Sequence, residues 1–257
     1  MSRYLRTSDL ARAVGVHPNT VRKYADAGLL PPVDRTPAGY RRFTRRHLDC
    51  LRLVRLVYNA PFPGPELHSS GVDIIRSTVA GELGKALELA YQHMVKVHAE
   101  QAQAEAAVAL LERWAQGVQL DATGQDLTIG QTARLLGVTV DVLRNWERNG
   151  LIKVPRNPAN GYRRYSAAQI SRLRVIRLLR LSGYSLMAIL RMMTRLDQGH
   201  TTGLRQALDT PRPDEDVFTA ADRWLSTLEE QAARAGAIIS LLEEMIAGQL
   251  GESAVQA

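Results

Sequence analysis

With 257 residues, of which 45% are apolar, the chain is long enough for two domains with ordinary cores. It has no apolar run of the roughly 18 residues that a membrane span requires, and its first residues lack the apolar stretch of a signal peptide, so we expect a cytoplasmic protein with no membrane partner. The single cysteine, Cys50, excludes an internal disulfide and a metal site built from several thiolates.

The net charge of +7 is distributed unevenly along the chain. Residues 1–60 carry 12 Lys/Arg and 4 Asp/Glu, a net charge of +8, and residues 127–196 carry 13 and 2, a net charge of +11. Residues 61–126 and 197–257 are acidic, with net charges of −5 and −7. Because the basic charge is confined to two segments, the pattern indicates two separate surfaces for a polyanion.

These two basic segments contain a repeat. The sequence VHPNTVRKYADAGLLPPVDRTPAGYRRFT at 16–44 recurs without a gap, 122 positions later, as VTVDVLRNWERNGLIKVPRNPANGYRRYS at 138–166. Identical pairs include Gly15/Gly137, Arg22/Arg144, Gly28/Gly150, Gly39/Gly161, Tyr40/Tyr162, Arg41/Arg163 and Arg42/Arg164. A repeated unit of this kind fixes the architecture, because each copy must adopt the same local fold.

Each copy predicts a helix-turn-helix followed by a β wing. In the first copy Gly15 makes the turn, Pro18 opens the second helix and Gly28 ends it. Prolines and a glycine between 31 and 39 exclude a helix, and residues 40–43 alternate like a short strand. A third helix follows each wing, and in the second copy a fourth helix follows the third.

Two later segments carry heptad patterns. The first seam consists of Leu83, Leu87, Ala90, Met94, Val97, Gln101, Ala104, Val108 and Leu111, and the second of Leu225, Leu228, Ala232, Ala235, Ile239, Leu242 and Ile246. A 3.5-residue period sustained over several heptads favours a coiled coil, although a long amphipathic helix lying on a core is the alternative.

The predicted fold class is therefore mainly α. The expected order is a first winged helix-turn-helix domain at 1–71, a coiled-coil helix at 72–116, a linker at 117–126, a second winged helix-turn-helix domain at 127–197, a loop at 198–215 and a second coiled-coil helix at 216–250.

The helix-turn-helix, the wing ending in GYRRF or GYRRY, the third helix RLRVIRLLR and the fourth helix entered through GYSL together resemble the MerR family of bacterial transcription regulators. The second copy fits throughout, whereas the first departs after Tyr58, where PFPG replaces the expected glycine-aromatic-Ser-Leu. The resemblance covers about residues 5–67 and 127–196. It implies a sequence-specific regulator that binds double-stranded DNA and acts with RNA polymerase at a promoter, with no enzymatic activity and no cofactor.

The resemblance also implies which residues contact DNA, since in this family the second helix enters the major groove and the wing holds the DNA backbone. The groove candidates are Asn19, Thr20, Arg22, Lys23 and Tyr24 in the first copy, and Thr139, Asp141, Arg144 and Asn145 in the second. The wing candidates are Tyr40, Arg41 and Arg42, and Tyr162, Arg163 and Arg164. Trp146 replaces the tyrosine that ends the helix, and both Tyr24 and Trp146 suit a core position equally well.

Because Arg suits guanine and Asn suits adenine, and because the copies differ at most groove positions, we expect two unlike half-sites. Wing contacts to phosphate would add salt-dependent affinity without reading sequence.

Several alternatives stay open on the sequence alone. The chain can pair its own two long helices as an intramolecular pseudo-dimer, or form a homodimer with four DNA-binding units. It can activate by distorting a promoter, or repress, or instead serve as an architectural or partner-docking DNA-binding protein on the nucleoid. The small-molecule effector is unknown. The aromatic candidates for an effector pocket, better explained as core, are Phe62, Tyr91, Trp114, Tyr184, Phe218 and Trp224.

Overall fold

The computed structural model describes residues 4–59, 64–118, 126–211 and 220–256, and the fold is mainly α, which confirms the predicted class. The helices are α1 (Thr7–Ala13), α2 (Pro18–Asp26), α3 (Arg45–Tyr58), α4 (Pro65–Ala80), α5 (Leu83–Ala115), α6 (Ile129–Leu136), α7 (Val140–Arg148), α8 (Ala167–Leu181), α9 (Leu186–Asp197), α10 (Leu204–Asp209) and α11 (Trp224–Gln256). The strands are β1 (Asp34–Arg35) and β2 (Arg41–Arg42), and a 3₁₀ turn at Ala220–Arg223 precedes α11. Over these ranges, none of the helices combines the length and the hydropathy needed to cross a membrane.

The chain forms two compact units that do not follow its linear order. Unit 1 contains residues 1–98 and 229–257, and unit 2 contains residues 99–228. Each unit therefore holds one copy of the repeat together with one part of α5 and one part of α11. The expected linear division into six segments does not describe how the long helices are shared.

The helix-turn-helix turn is built identically in the two copies. Gly15 has a φ of 65° and Gly137 a φ of 61°, in the left-handed region that residues with a Cβ seldom occupy. In each copy the residue after the glycine donates its N–H to a carbonyl five positions earlier, Val16 to Ala11 and Val138 to Ala133, both at 3.0 Å. The repeat seen in the sequence is thus also a structural repeat.

The wing is shorter than the sequence predicts. In the first copy β1 and β2 pair antiparallel, with Asp34 opposite Arg42, and the strand covers only Arg41–Arg42 of the expected 40–43. Phe43 instead forms a single antiparallel bridge with Leu5, two residues before α1. In the second copy Leu127 and Tyr165 form the equivalent bridge, whereas the wing bridge of Arg156 with Arg163 differs by one residue in register from the pairs of the first copy.

Unit 1 has two adjoining cores. The first lies inside the winged helix-turn-helix and consists of Leu10, Ala11, Val21, Leu30, Phe43, Leu48, Cys50 and Leu51. The second joins α3 and α4 to the long helices and consists of Leu53, Val54, Val57, Ile74, Ile75, Leu83, Ala86, Ala90, Ile238, Ile239, Leu241 and Leu242. The start of α5 therefore packs on the middle of α11 within one chain.

The two long helices run antiparallel inside unit 1. The Tyr91 hydroxyl donates to a Glu243 carboxylate oxygen at 3.0 Å. Met94, one turn further along α5, lies beside Gly236, which precedes Glu243 in α11. The sequence number thus rises along one helix as it falls along the other.

The single coiled-coil helix expected at 72–116 is two helices, and this expectation was wrong. Helix α4 ends at Ala80, Gly81 has a φ of 89°, and α5 begins at Leu83. The Glu82 N–H donates to Ser77 O at 2.9 Å, which closes the end of α4. Ile74 and Ile75 are buried in the core of unit 1, so residues 73–80 belong to the domain rather than to the long helix.

Unit 2 has one core that includes α6 to α10 and the ends of both long helices. From α5 it contains Ala104, Ala107, Val108 and Leu111, and from α11 it contains Trp224, Leu225 and Leu228. The start expected for the second long helix, residue 216, lies outside the described residues, as does most of the linker at 117–126. Residues 220–223, expected to be α-helical, form the 3₁₀ turn, and α11 begins at Trp224.

Candidate DNA-binding surfaces

Helix α2 is the second helix of the helix-turn-helix in unit 1, and we call it the recognition helix of that unit. Its apolar residues face inward and its polar residues face outward. Val21 is fully buried and Tyr24 is half-buried against both cores, whereas Asn19, Arg22 and Lys23 are exposed. Thr20 is half-buried. The Arg22 guanidinium donates to Asn19 Oδ1 at 2.8 Å, so these two groove candidates are paired in the free protein.

The wing of unit 1 places its three candidates in different surroundings. The Tyr40 side chain is 74% exposed at the tip of the wing. Arg41 forms an ion pair with Asp26, at the end of α2, with Nη2 and Oδ1 2.5 Å apart. The Arg42 guanidinium lies over the ring of Tyr4, 4.5 Å from its centroid. Of the two wing arginines, therefore, Arg41 braces the wing against the recognition helix.

Helix α7, the recognition helix of unit 2, occupies the same position in its copy of the repeat as α2 but carries different polar residues. Thr139 is its N-cap, and the Thr139 hydroxyl accepts the Val142 N–H at 3.3 Å. Asp141 and Arg144 are exposed and form an ion pair at 3.1 Å. Asn145 is half-buried, and its Oδ1 accepts from the Asn149 side chain at 3.1 Å. The Thr139 hydroxyl is therefore already engaged in capping α7.

Trp146 is a core residue. Its side chain is 5% exposed and packs in the core of unit 2 with Leu143 and Leu151. The sequence left two interpretations of this position, a DNA contact or a core residue, and Trp146 is a core residue. Tyr24, the residue at the same position in unit 1, is only half-buried.

The wing of unit 2 also has one braced arginine. Arg163 Nε donates to Glu147 Oε2 at 2.7 Å, and the two side chains are 26% and 23% exposed. Tyr162 is 71% exposed and Arg164 is exposed. Glu147 and Asp26 do not occupy matching positions of the repeat, because Glu147 aligns with Ala25. Sequence comparison of the copies therefore gave no signal for these bracing carboxylates.

Sequence reasoning also missed the residues before α1. Tyr4, Leu5 and Arg6 line a cleft of about 760 Å³ together with α2 and the wing. The cleft walls are rich in guanidinium groups, from Arg6, Arg22, Arg41 and Arg42. The only available hint was the basic and aromatic composition of residues 3–6, which no pattern tied to the wing.

Other reactive or ligating residues are accounted for by packing. Cys50 is 1% exposed, and burial raises the pKa of its thiol to about 11, so it behaves as an apolar core residue. His93 is buried, with its Nδ1 2.6 Å from the Ser70 hydroxyl, whereas His98 is exposed. Among the described residues, no group of three or more His, Cys, Asp or Glu is placed to hold a metal ion.

The aromatic residues considered for an effector pocket divide between core and surface. Tyr184 and Trp224 are buried in unit 2, Trp114 packs at the edge of that core, and Tyr91 is 49% exposed in unit 1. Burial raises the pKa of Tyr184, whose hydroxyl donates to Ala104 O at 3.4 Å. Phe62 and Phe218 lie outside the described residues.

Comparison with known proteins is consistent with this geometry. The family model for the MerR HTH family regulatory protein matches residues 127–196, and that for the MerR family regulatory protein matches residues 6–43. The mercuric resistance operon regulatory protein of Pseudomonas fluorescens is 27% identical over 122 residues, which cover 48% of this chain and 76% of the relative. The same regulator from Serratia marcescens is 37% identical over 75 residues, or 29% of this chain and 51% of the relative.

The CueR regulator of Escherichia coli O6:H1 is 37% identical over 51 residues, 20% of this chain and 38% of the relative. No solved structure matches the chain. Both matched segments coincide with the two helix-turn-helix copies described above. The chain belongs to the MerR family, as a DNA-binding transcription regulator that carries two helix-turn-helix units in tandem.

Proposed function

We propose that this regulator reads two unlike DNA half-sites, one with each winged helix-turn-helix unit. The observation that carries the proposal is the difference between the two recognition helices. At matching positions the polar residues are Asn19 and Asp141, Arg22 and Arg144, and Lys23 and Asn145, of which only the arginine is shared. An arginine fork suits guanine in both half-sites, and the flanking residues then select different neighbouring bases.

We further propose that the two long helices pair within one chain, so that a single chain supplies both DNA-binding units. Support comes from the packing inside each unit, where parts of α5 and α11 share a core, and from the Tyr91–Glu243 hydrogen bond in unit 1. The homodimer with four DNA-binding units is the competing arrangement.

At a promoter, on the nucleoid, this regulator is proposed to distort the DNA between its half-sites and to act with RNA polymerase. The free energy of bending a short site is of the order of a few kcal/mol, which contacts at both half-sites can offset. Activation and repression are both compatible with such a complex.

Selection of bound duplexes from a random DNA pool tests the proposal. We expect one motif with two dissimilar halves and a preference of at least about 10³ over random DNA. A palindromic motif would contradict the assignment of one half-site to each unit. Binding with no sequence preference would instead favour the architectural or partner-docking function.

A further inference from the structure

The arginine-rich cleft of unit 1 is built by the chain segment that leads into α1. Leu5 and Phe43 exchange two backbone hydrogen bonds, with N···O distances of 2.8 and 3.1 Å. Since side chains alternate along an extended strand, Leu5 and Phe43 share the core face and Tyr4, Arg6 and Arg42 share the opposite one. Phe43 is fully buried, whereas Tyr4 is 51% exposed and Arg6 is exposed, as this alternation requires.

Tyr4 supports Arg42 in a geometry that favours anion binding. The guanidinium lies over the phenol ring at 4.5 Å, which limits its rotamers without using its N–H donors. Arg41 and Arg22, in contrast, already donate to Asp26 and Asn19. Within the described ranges neither Arg6 nor Arg42 forms an ion pair, although the Asp9 carboxylate accepts the Arg6 backbone N–H at 2.9 Å and Asp34 lies opposite Arg42 in the strand pair.

Unit 2 has the same backbone pairing before its first helix but different side chains at the positions of Tyr4 and Arg6. Leu127 and Tyr165 exchange two backbone hydrogen bonds of 2.9 Å, just as Leu5 and Phe43 do. At the positions of Tyr4 and Arg6 unit 2 has Asp126 and Thr128, so it lacks both the ring and the cation, although Arg156 and Arg164 stand at the positions of Asp34 and Arg42. Thr128 is moreover occupied in its own helix cap, since its hydroxyl donates to Gln131 Oε1 at 2.8 Å.

We infer that the cleft of unit 1 is a binding site for a backbone phosphate of the DNA, formed by Arg6 and by Arg42 on its Tyr4 platform, and that unit 2 lacks the contributions of Arg6 and Tyr4. The inference rests on the proposed DNA-binding function of the two units. It adds one salt-dependent contact to the half-site of unit 1, because each neutralised phosphate releases condensed counterions. Unit 1 thus anchors the chain on DNA more strongly than its base contacts alone would do.

The test measures the observed binding constant of the full chain for a selected duplex as a function of salt concentration. Arg6→Gln is expected to reduce the slope of log K against log salt by about 1 and to leave the selected base sequence unchanged. Arg12→Gln is the matched control, because it removes the same charge from an exposed position of α1 outside the cleft. An unchanged slope for Arg6→Gln would overturn the inference.

The platform role of Tyr4 has its own readout. Tyr4→Leu should weaken binding by about 2- to 5-fold, the range expected for loss of an exposed cation–π contact, and Tyr4→Phe should restore it. Replacing single phosphates of the duplex by neutral methylphosphonates should reveal one position in the half-site of unit 1 that matters to the wild type and not to Arg6→Gln.

Free inorganic phosphate is the alternative ligand for the cleft of unit 1. It should compete no better than chloride at equal ionic strength, and specific competition would overturn the assignment to DNA. A wild-type chain that binds no duplex would refute the proposed function and this inference with it. A wild-type chain that binds well, without such a phosphate position, would refute the inference alone.

Discussion

The arginines that face outward from the two units differ in how firmly their partners hold them. The Arg144–Asp141 pair is exposed and lies within one helix turn, where ion pairs contribute little, so DNA can replace the carboxylate as a partner of Arg144. The Arg163–Glu147 pair is about three-quarters buried and joins the wing to α7. Arg144 is therefore suited to reading a base, and Arg163 to fixing the wing while contacting a phosphate.

Substitution of these two arginines should have distinguishable effects on binding to a selected duplex. Arg144→Ala is expected to relax preference at one base pair by about 1–3 kcal/mol, because a bidentate contact to guanine is lost. Arg163→Ala should weaken binding to all sequences and lower the salt slope by about 1. Competition titrations with single-base variants measure the first effect, and salt titrations the second.

Glu147→Gln separates bracing from phosphate contact, because it removes the carboxylate and keeps Arg163. If Arg163 serves only as a brace, Arg163→Ala and Glu147→Gln will weaken binding alike and neither will change the salt slope. That outcome would contradict the phosphate contact.

His47 makes the stability of unit 1 depend on pH. Its Nδ1 accepts the Thr44 N–H at 3.1 Å and its Nε2 donates to Pro32 O at 3.2 Å, an arrangement that requires the neutral ring. Burial lowers the pKa of His47 below its usual value, as it does the pKa of His93. The unfolded chain therefore binds more protons, so stability is full above the unfolded pKa and falls as the pH drops towards the folded one.

Hydrogen exchange of peptides from unit 1 should thus accelerate as the pH is lowered below about 6.5, after correction for intrinsic exchange, more than that of peptides from unit 2. His47→Gln should reduce this dependence. Equal pH responses of the two units would count against the assignment.

At the scale of elements, the sequence predicted what local periodicity encodes. The heptad spacing placed Leu83, Ala90 and Val97 on a buried face, and the structure has them there. It did not reveal the break at Gly81, because Ile74 and Ile75 continue an apolar helical pattern up to the break and are buried in the same core as Leu83 and Ala90. The ion pair of Arg41 with Asp26 was equally hidden, since it depends on how the wing folds back on α2.

The turn between α8 and α9 offers a sharp test of packing in unit 2. Gly183 has a φ of 96°, and a Cβ added there would lie 2.4 Å from the Trp224 ring. Gly183→Ala should lower the free energy of unfolding by about 2–5 kcal/mol, since backbone strain of about 1–2 kcal/mol adds to overpacking. Gly199→Ala is the matched control, with a φ of 85° and no neighbour within 4 Å, and should show the strain alone.

Urea unfolding followed by tryptophan fluorescence measures this difference in unit 2 specifically, because Trp114, Trp146 and Trp224 all belong to that unit. Equal midpoints for the two variants would mean that Trp224 does not fill the space beside Gly183.

At the scale of the whole molecule, the repeat and the charge distribution predicted two DNA-binding units, and the family matches cover both. The sequence could not decide which helices pair, because the apolar seam of one long helix can pack equally well against a helix of the same chain or of another chain. What favours pairing within one chain is the content of each unit, in which residues of α5 and α11 more than a hundred positions apart share a core.

The mass of the free protein in solution therefore discriminates between the two arrangements. Light scattering is expected to give a value near the 28.5 kDa chain mass, constant on dilution, and titration with a selected duplex should saturate at one duplex per chain. Twice that mass would mean that the long helices pair between chains, which would place four DNA-binding units in one particle. If such a dimer saturated at two half-sites per chain, bridging of two duplexes would be the expected mode of action. A single distorted promoter site would then no longer account for the two helix-turn-helix copies in each chain.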